Sequence, residues 1–74
     1  MDLNEFIKKI EEQFDEVVSL NTTTVYRDLD EWSSLTALNI LAMIGDEYEV
    51  ELEPDEMRKT TTIEELFNLV QSKL

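Results

Sequence analysis

Three stretches of this chain carry apolar residues at the spacing of a single helical face, separated by stretches that do not. Leu3, Phe6, Ile7, Ile10 and Phe14 follow the i, i+3, i+4, i+7, i+11 pattern. Ala37, Ile40, Leu41, Ile44 and Tyr48 repeat it, and Ile63, Leu66, Phe67 and Val70 close the chain with it. A chain of 74 residues has room for one core and no second domain, so these faces must bury one another. The expectation is a single all-α domain over residues 1–74. Helix I is expected over about residues 3–17, with Asp2 and Glu5 at capping-box spacing and Met1 and Phe6 at staple spacing. Helix II runs from the Ser33-Ser34 pair to Tyr48. Pro54, followed by Asp55 and Glu56, suits the start of a short third helix. The Thr60-Thr61-Thr62 run then restarts the chain, and Thr61 with Glu64, or Thr62 with Glu65, offers a capping box for the last helix. Residues 19–33 are rich in Thr, Asn and Asp and lack a helical period; connections this long in small domains are usually functional. Glu49-Val50-Glu51-Leu52 alternates like a strand, but a lone strand has nothing to pair with.

Composition narrows the function. There are 18 acids against 6 bases, a net charge of -12, and no Cys or His. Without thiols there is no disulfide, thiolate metal site or thiol nucleophile, and without His no side chain whose ordinary pKa lies near neutrality, so the chain is not expected to be an enzyme. A surface this acidic repels phosphate backbones and anionic lipid heads, which argues against nucleic-acid binding and stable membrane association, and is steered towards basic patches on other proteins. No apolar run approaches ~18 residues and no basic segment opens the chain, so the expectation is a cytoplasmic protein. Met1 and a complete set of helices give the further expectation of an intact small protein, and a monomer is expected. A calcium loop starting at Asp28 and Asp30 fails at Trp32, Ser33 and Asn39. The single Gly excludes a glycine-rich phosphate loop.

Helix II carries more apolar surface than one face. Leu35, Leu38 and Ala42 fall opposite the first stripe, in line with Asp46 and Glu49. Either this helix is central and buried on both sides, or the second stripe is a docking face with apolar anchors inside an acidic rim. The acids in line with Leu35 and Leu38 favour docking. Gly45 beside the stripe marks either a tolerant surface position or a close approach by a partner or neighbouring helix. At the N-terminus of the helix one Ser explains a cap, and the second leaves a hydroxyl spare where amides and the helix dipole favour an attached phosphate.

Taken with this layout, Ser33-Ser34-Leu35 resembles the Asp-Ser-Leu motif of acyl carrier proteins. Ala37, Leu38, Ile40, Leu41, Ile44 and Tyr48 then fall at that family's apolar positions, and Pro54-Asp55-Glu56, Thr61-Thr62-Ile63 and the last helix match in order. The resemblance covers nearly the whole chain and implies a small acyl-carrier-like bundle of three main helices plus one short helix. It also implies that Ser34 carries 4'-phosphopantetheine, attached by a phosphopantetheinyl transferase, with Ser33 as the cap and Trp32 as a packing anchor for the long loop. The expected role is a free-standing carrier of acyl thioesters for enzymes of fatty-acid, lipid or polyketide-type biosynthesis. Those partners would present basic docking patches to Leu35, Leu38, Ala42, Asp46, Glu47 and Glu49. Core residues such as Phe6, Ile44 and Phe67 would line a pocket for the acyl chain. The family's Asp is Ser33 here, with Asp30 and Glu31 placed to compensate, and two positions often acidic in fatty-acid carriers are Thr36 and Asn39. These departures imply different partners from those of a fatty-acid carrier, or a weaker transferase interaction. They leave two alternatives open: a carrier of amino-acyl or other specialised groups, or an unmodified helical interaction module.

Overall fold

The computed structural model describes all 74 residues. Four α-helices follow in order: α1 (Leu3–Glu11), α2 (Ser34–Tyr48), α3 (Pro54–Arg58) and α4 (Ile63–Ser72), with a single 3-10 turn (Tyr26–Asp28) in the long connection after α1. There is no strand, only an isolated bridge between Val25 and Thr62. The three longer helices bury one face each, and α1 packs against both α2 and α4. Phe6 of α1 sits 5.8 Å from the ring of Tyr48 of α2 and 5.4 Å from that of Phe67 of α4. Phe6, Ile10, Ile40, Ile44, Ile63, Leu66 and Val70 are wholly inaccessible to solvent. Burying each such side chain contributes about 1.5–3 kcal/mol, which is what holds short helices that would be unstable alone.

Local chemistry sets most of the boundaries. Asp2 caps α1, its Oδ1 accepting from the amides of Asn4 at 2.9 Å and Glu5 at 3.3 Å. Pro54 opens α3, and Glu56 Oε1 accepts from the Glu53 amide at 3.1 Å. Thr62, rather than Thr61, caps α4: its Oγ1 accepts from the Glu65 amide, and Glu65 reaches back to the amides of Thr62 and Thr61. At the far end of α2, Glu49 adopts φ 56°, a left-handed cap usually given to Gly.

Helix α1 stops at Glu11, well short of residue 17. The next amides bond three residues back, Gln13 to Ile10 and Phe14 to Glu11, which tightens the chain into turns. Glu11, Glu12, Asp15 and Glu16 crowd the negative end of the helix dipole, where carboxylates are unfavourable. Glu11 instead accepts from the Leu20 amide at 2.8 Å, pulling the following segment inward. Phe14 is still buried, although it leaves the helix to get there.

The long connection is ordered by what it satisfies. Asn21 Oδ1 accepts from the Thr23 amide and from the hydroxyls of Thr23 and Thr24, forming a local turn. The carbonyls of Thr24 and Thr22 accept from the amides of Ile63 and Glu64, two donors in the first turn of α4. Further on, the Tyr26 hydroxyl donates to the Met57 carbonyl at 3.0 Å and bonds Thr60 Oγ1, tying the loop to the end of α3. Trp32 packs as the expected anchor, 5.2 Å from the ring of Tyr26 and 6.0 Å from that of Phe14.

Candidate functional site

The two serines at the start of α2 do different things. Ser33 is extended, with φ -147° and ψ 166°, and caps the helix: its Oγ accepts from the Thr36 amide at 3.1 Å and lies 3.0 Å from Thr36 Oγ1. Ser34 is the first residue of α2 and is exposed, and its hydroxyl takes no part in the cap. A hydroxyl is thereby held on a rigid element, in solvent, beside the positive end of a helix dipole.

Ser34 opens onto a cleft of about 350 Å³ between α2, α3 and the loop that precedes α2. On the α2 side, Ser34, Ala37, Leu38 and Leu41 form one i, i+3, i+4, i+7 stripe. Pro54 and Met57 of α3 face them, Trp32 and Tyr26 close the loop side, and Arg27 and Arg58 add two guanidinium groups. An arm with a phosphate at one end and a flexible, partly apolar body fits this lining. The cleft also differs from the acyl pocket expected at Phe6, Ile44 and Phe67. Phe6 and Ile44 are completely buried in the core, and none of the three lines this cleft.

The second stripe of α2 faces solvent. Leu35 and Leu38 are each 59% exposed, and Ala42 and Asp46 are exposed beside them. This places the helix at the edge of the bundle, buried on one side only. Asn39 lies partly buried, and Thr36, bound to the Ser33 cap, is only 3% exposed, so Thr36 adds nothing to this outer face. Gly45 is exposed, and a Cβ built there would meet only the Val50 carbonyl oxygen at 3.9 Å, so no neighbouring helix approaches it.

The acids divide into those that face outwards and those already engaged. Asp46 points with Leu35 and Ala42, whereas Glu47 lies about 120° further round the helix than Leu35 and pairs with Lys9 of α1 at 2.9 Å. Glu47 and Glu5 together hold the Lys9 ammonium above its ordinary pKa, Glu47 with the larger effect. Glu47 is therefore a tie between helices and not a free rim acid. Glu49 is exposed at the left-handed cap, Asp30 is exposed in the loop, and Glu31 is half-buried. No group of three or more acids converges in a way that would hold a metal ion. No helix is long and apolar enough to cross a membrane.

Sequence reasoning singled out neither Arg27, Arg58 nor Met57. Met57 and Arg58 are remote from Ser34 along the chain, and Arg27, though nearer, lies in a connection with no helical period; only the folding of the loop and α3 over α2 gathers them at one cleft.

No family model matches this chain, and neither does any curated protein. Among solved structures it is similar to the holo acyl carrier protein from Geobacter metallireducens, determined by solution NMR, with 25% identity and a TM-score of 0.78. The match covers 96% of this chain and 83% of that one, so it takes in all four helices and the long connection. The chain has the fold of an acyl carrier protein, the fold of a carrier and not of an enzyme.

Proposed function

We propose that this protein carries acyl groups as thioesters on a 4'-phosphopantetheine arm attached to Ser34, and delivers them to partner enzymes. The observation that carries the reading is the division of labour at the start of α2. Ser33 supplies the cap, so Ser34 keeps a free, exposed hydroxyl at the mouth of a cleft with apolar walls and cationic edges. In the active site of a phosphopantetheinyl transferase, Ser34 Oγ attacks the phosphorus of coenzyme A that bears the pantetheine. The new Oγ–P bond completes the phosphodiester as the pyrophosphate P–O bond breaks, 3',5'-adenosine bisphosphate leaves, and the serine proton passes to a base of the transferase. Once attached, the arm supplies the terminal thiol that a chain without Cys lacks. The protein's own contribution is placement: a rigid helix fixes the point of attachment, and the cleft gives the arm a surface to rest on.

Partners dock, in this reading, on the exposed stripe of Leu35, Leu38 and Ala42. Asp46 and Glu49, with Asp30 and Glu31 near the modified serine, attract basic patches there. Acyl-handling enzymes of fatty-acid, lipid or polyketide-type biosynthesis are the partner class that follows.

A carrier of amino-acyl or other specialised groups is the second reading, and the packing of the core favours it over a long chain sheltered between the helices. A long chain sheltered between the helices would enter among Phe6, Ile40, Ile44 and Leu66, all at 0% exposure, and separating them costs packing that a short or polar group resting in the Ser34 cleft leaves intact.

Intact-mass measurement before and after incubation with coenzyme A and a broad-specificity transferase tests the attachment. The expected result is gain of one phosphopantetheine by the wild type and by Ser33→Ala, and none by Ser34→Ala. Ser33→Ala should also lose about 1 kcal/mol of stability with its cap. Absence of any gain, including with the transferase of the source organism, would leave an unmodified interaction domain.

A further inference from the structure

The cationic lining of the cleft has an unbalanced member. Of the six basic residues, Lys9, Arg58 and Lys73 are in ion pairs, and Lys8 and Lys59 are exposed to solvent. Arg27 alone is half-buried without a carboxylate partner, in a chain with 18 carboxylates, three of them nearby in sequence at Asp28, Asp30 and Glu31. Its Nη1 donates to the Met57 carbonyl at 3.2 Å and to the Tyr26 hydroxyl at 3.3 Å, and its guanidinium lies 5.2 Å from the centre of the Tyr26 ring. These contacts fix the plane and position of the group without neutralising it. Nε and Nη2 make no hydrogen bond within the protein. A guanidinium oriented by neutral partners, partly stripped of water and lining the same cleft as Ser34 is prepared for an anion, since binding one breaks no existing ion pair. Arg58, the other guanidinium of the cleft, is 70% exposed and already paired with Asp55.

We propose that Arg27 receives an oxyanion belonging to the group attached at Ser34: either an oxygen of the phosphodiester or a carboxylate carried by the loaded acyl group. The proposal rests on attachment at Ser34, and its test separates the two. Intact mass first establishes conversion. The Arg27 Nε–Hε resonance and the melting temperature are then followed at low salt in the apo form, the holo form, and the holo form loaded with acetyl or with succinyl. If the phosphodiester is the ligand, conversion to the holo form shifts the Arg27 resonance and raises the melting temperature by roughly 4 °C. Acetyl and succinyl loading then add nothing further. If a cargo carboxylate is the ligand, only succinyl loading does so. Arg27→Gln should abolish the gain. Arg27→Lys should keep a smaller one that disappears with salt, because a screened point charge replaces the planar fork. Each gain is measured against the apo form of the same variant, which removes any effect of the substitution on folding, and the wild-type resonance requires no variant. An unmoved resonance across all four forms, or an equal gain in Arg27→Gln, overturns the proposal while attachment stands. Failure of the mass to increase overturns attachment and this proposal with it.

Discussion

Tyr26 and Tyr48 show how the same phenol can help or burden one core. The Tyr26 hydroxyl is buried and bonded to the Met57 carbonyl and to Thr60, whereas the Tyr48 hydroxyl is buried with no hydrogen-bond partner. Tyr26→Phe should therefore cost about 1–3 kcal/mol, while Tyr48→Phe should be neutral or stabilising by about 1 kcal/mol, because it deletes an unsatisfied group and keeps the ring. Both phenols are pushed above their ordinary pKa, chiefly by burial, opposed at Tyr26 by the Thr60 hydrogen bond and then Arg27, and at Tyr48 by Lys9. A raised folded-state value means that the contribution to stability is complete below the unfolded value of about 10 and is lost as pH climbs through the folded one. Wild-type melting temperature should thus fall above about pH 10, and less steeply in Tyr48→Phe. Thermal melts of the three proteins at neutral and alkaline pH check both statements; equal losses from the two substitutions would contradict them. At this scale the cap at Ser33 was legible in the sequence because capping involves neighbours three residues apart. The roles of Arg27 and of Thr36 were not, since they depend on the Met57 carbonyl and on which side of α2 the core lies.

For the elements, legibility followed the same division. The starts of α2, α3 and α4 were readable because Ser33, Pro54 and Thr62 act on their own first turns. The end of α1 was not. Phe14 continues the apolar period and is indeed buried, so periodicity alone extends the helix, while the competing signal lay in four acids at the wrong pole of the dipole. Helix α2 gave two apolar stripes, and the acids in line with Leu35 and Leu38 favoured docking over burial for the second. The fold places one stripe in the core and leaves the other in water. Leu38→Ala and Ile44→Ala should separate accordingly. Ile44 is fully buried, so its truncation should cost about 2–5 kcal/mol; Leu38, at 59% exposure, should cost within about 1 kcal/mol while weakening capture by a partner enzyme. Urea melts of both variants, with binding measured on each, decide it. A Leu38→Ala loss as large as that of Ile44→Ala would return the second stripe to a structural role.

The whole molecule measures only 30 × 22 × 21 Å and carries a net charge of -12, a property fully legible in the composition. Its ion pairs join Lys9 to Glu5 and Glu47, Arg58 to Asp55 and Lys73 to Glu56, so they engage just four of the 18 carboxylates. At about 0.01 M ionic strength the screening length of roughly 30 Å equals the long dimension of the molecule, and each carboxylate feels all the others. At about 0.15 M it shrinks to roughly 8 Å, and only near neighbours still repel. Unfolding lets the acids move apart, so repulsion at low salt lowers stability, and screening should restore it. The same screening weakens the ion pairs, but exposed pairs contribute only about 0–1 kcal/mol each, against a surplus of negative charge spread over the whole surface. Melting temperature should therefore climb steeply over that first range of sodium chloride and flatten above it, where the remaining repulsion is short-ranged. Chloride is the right anion for the test, because sulfate would also strengthen apolar burial and blur the cause. A melting temperature that stays flat or falls across the same range would mean that the few ion pairs outweigh the surplus of acids.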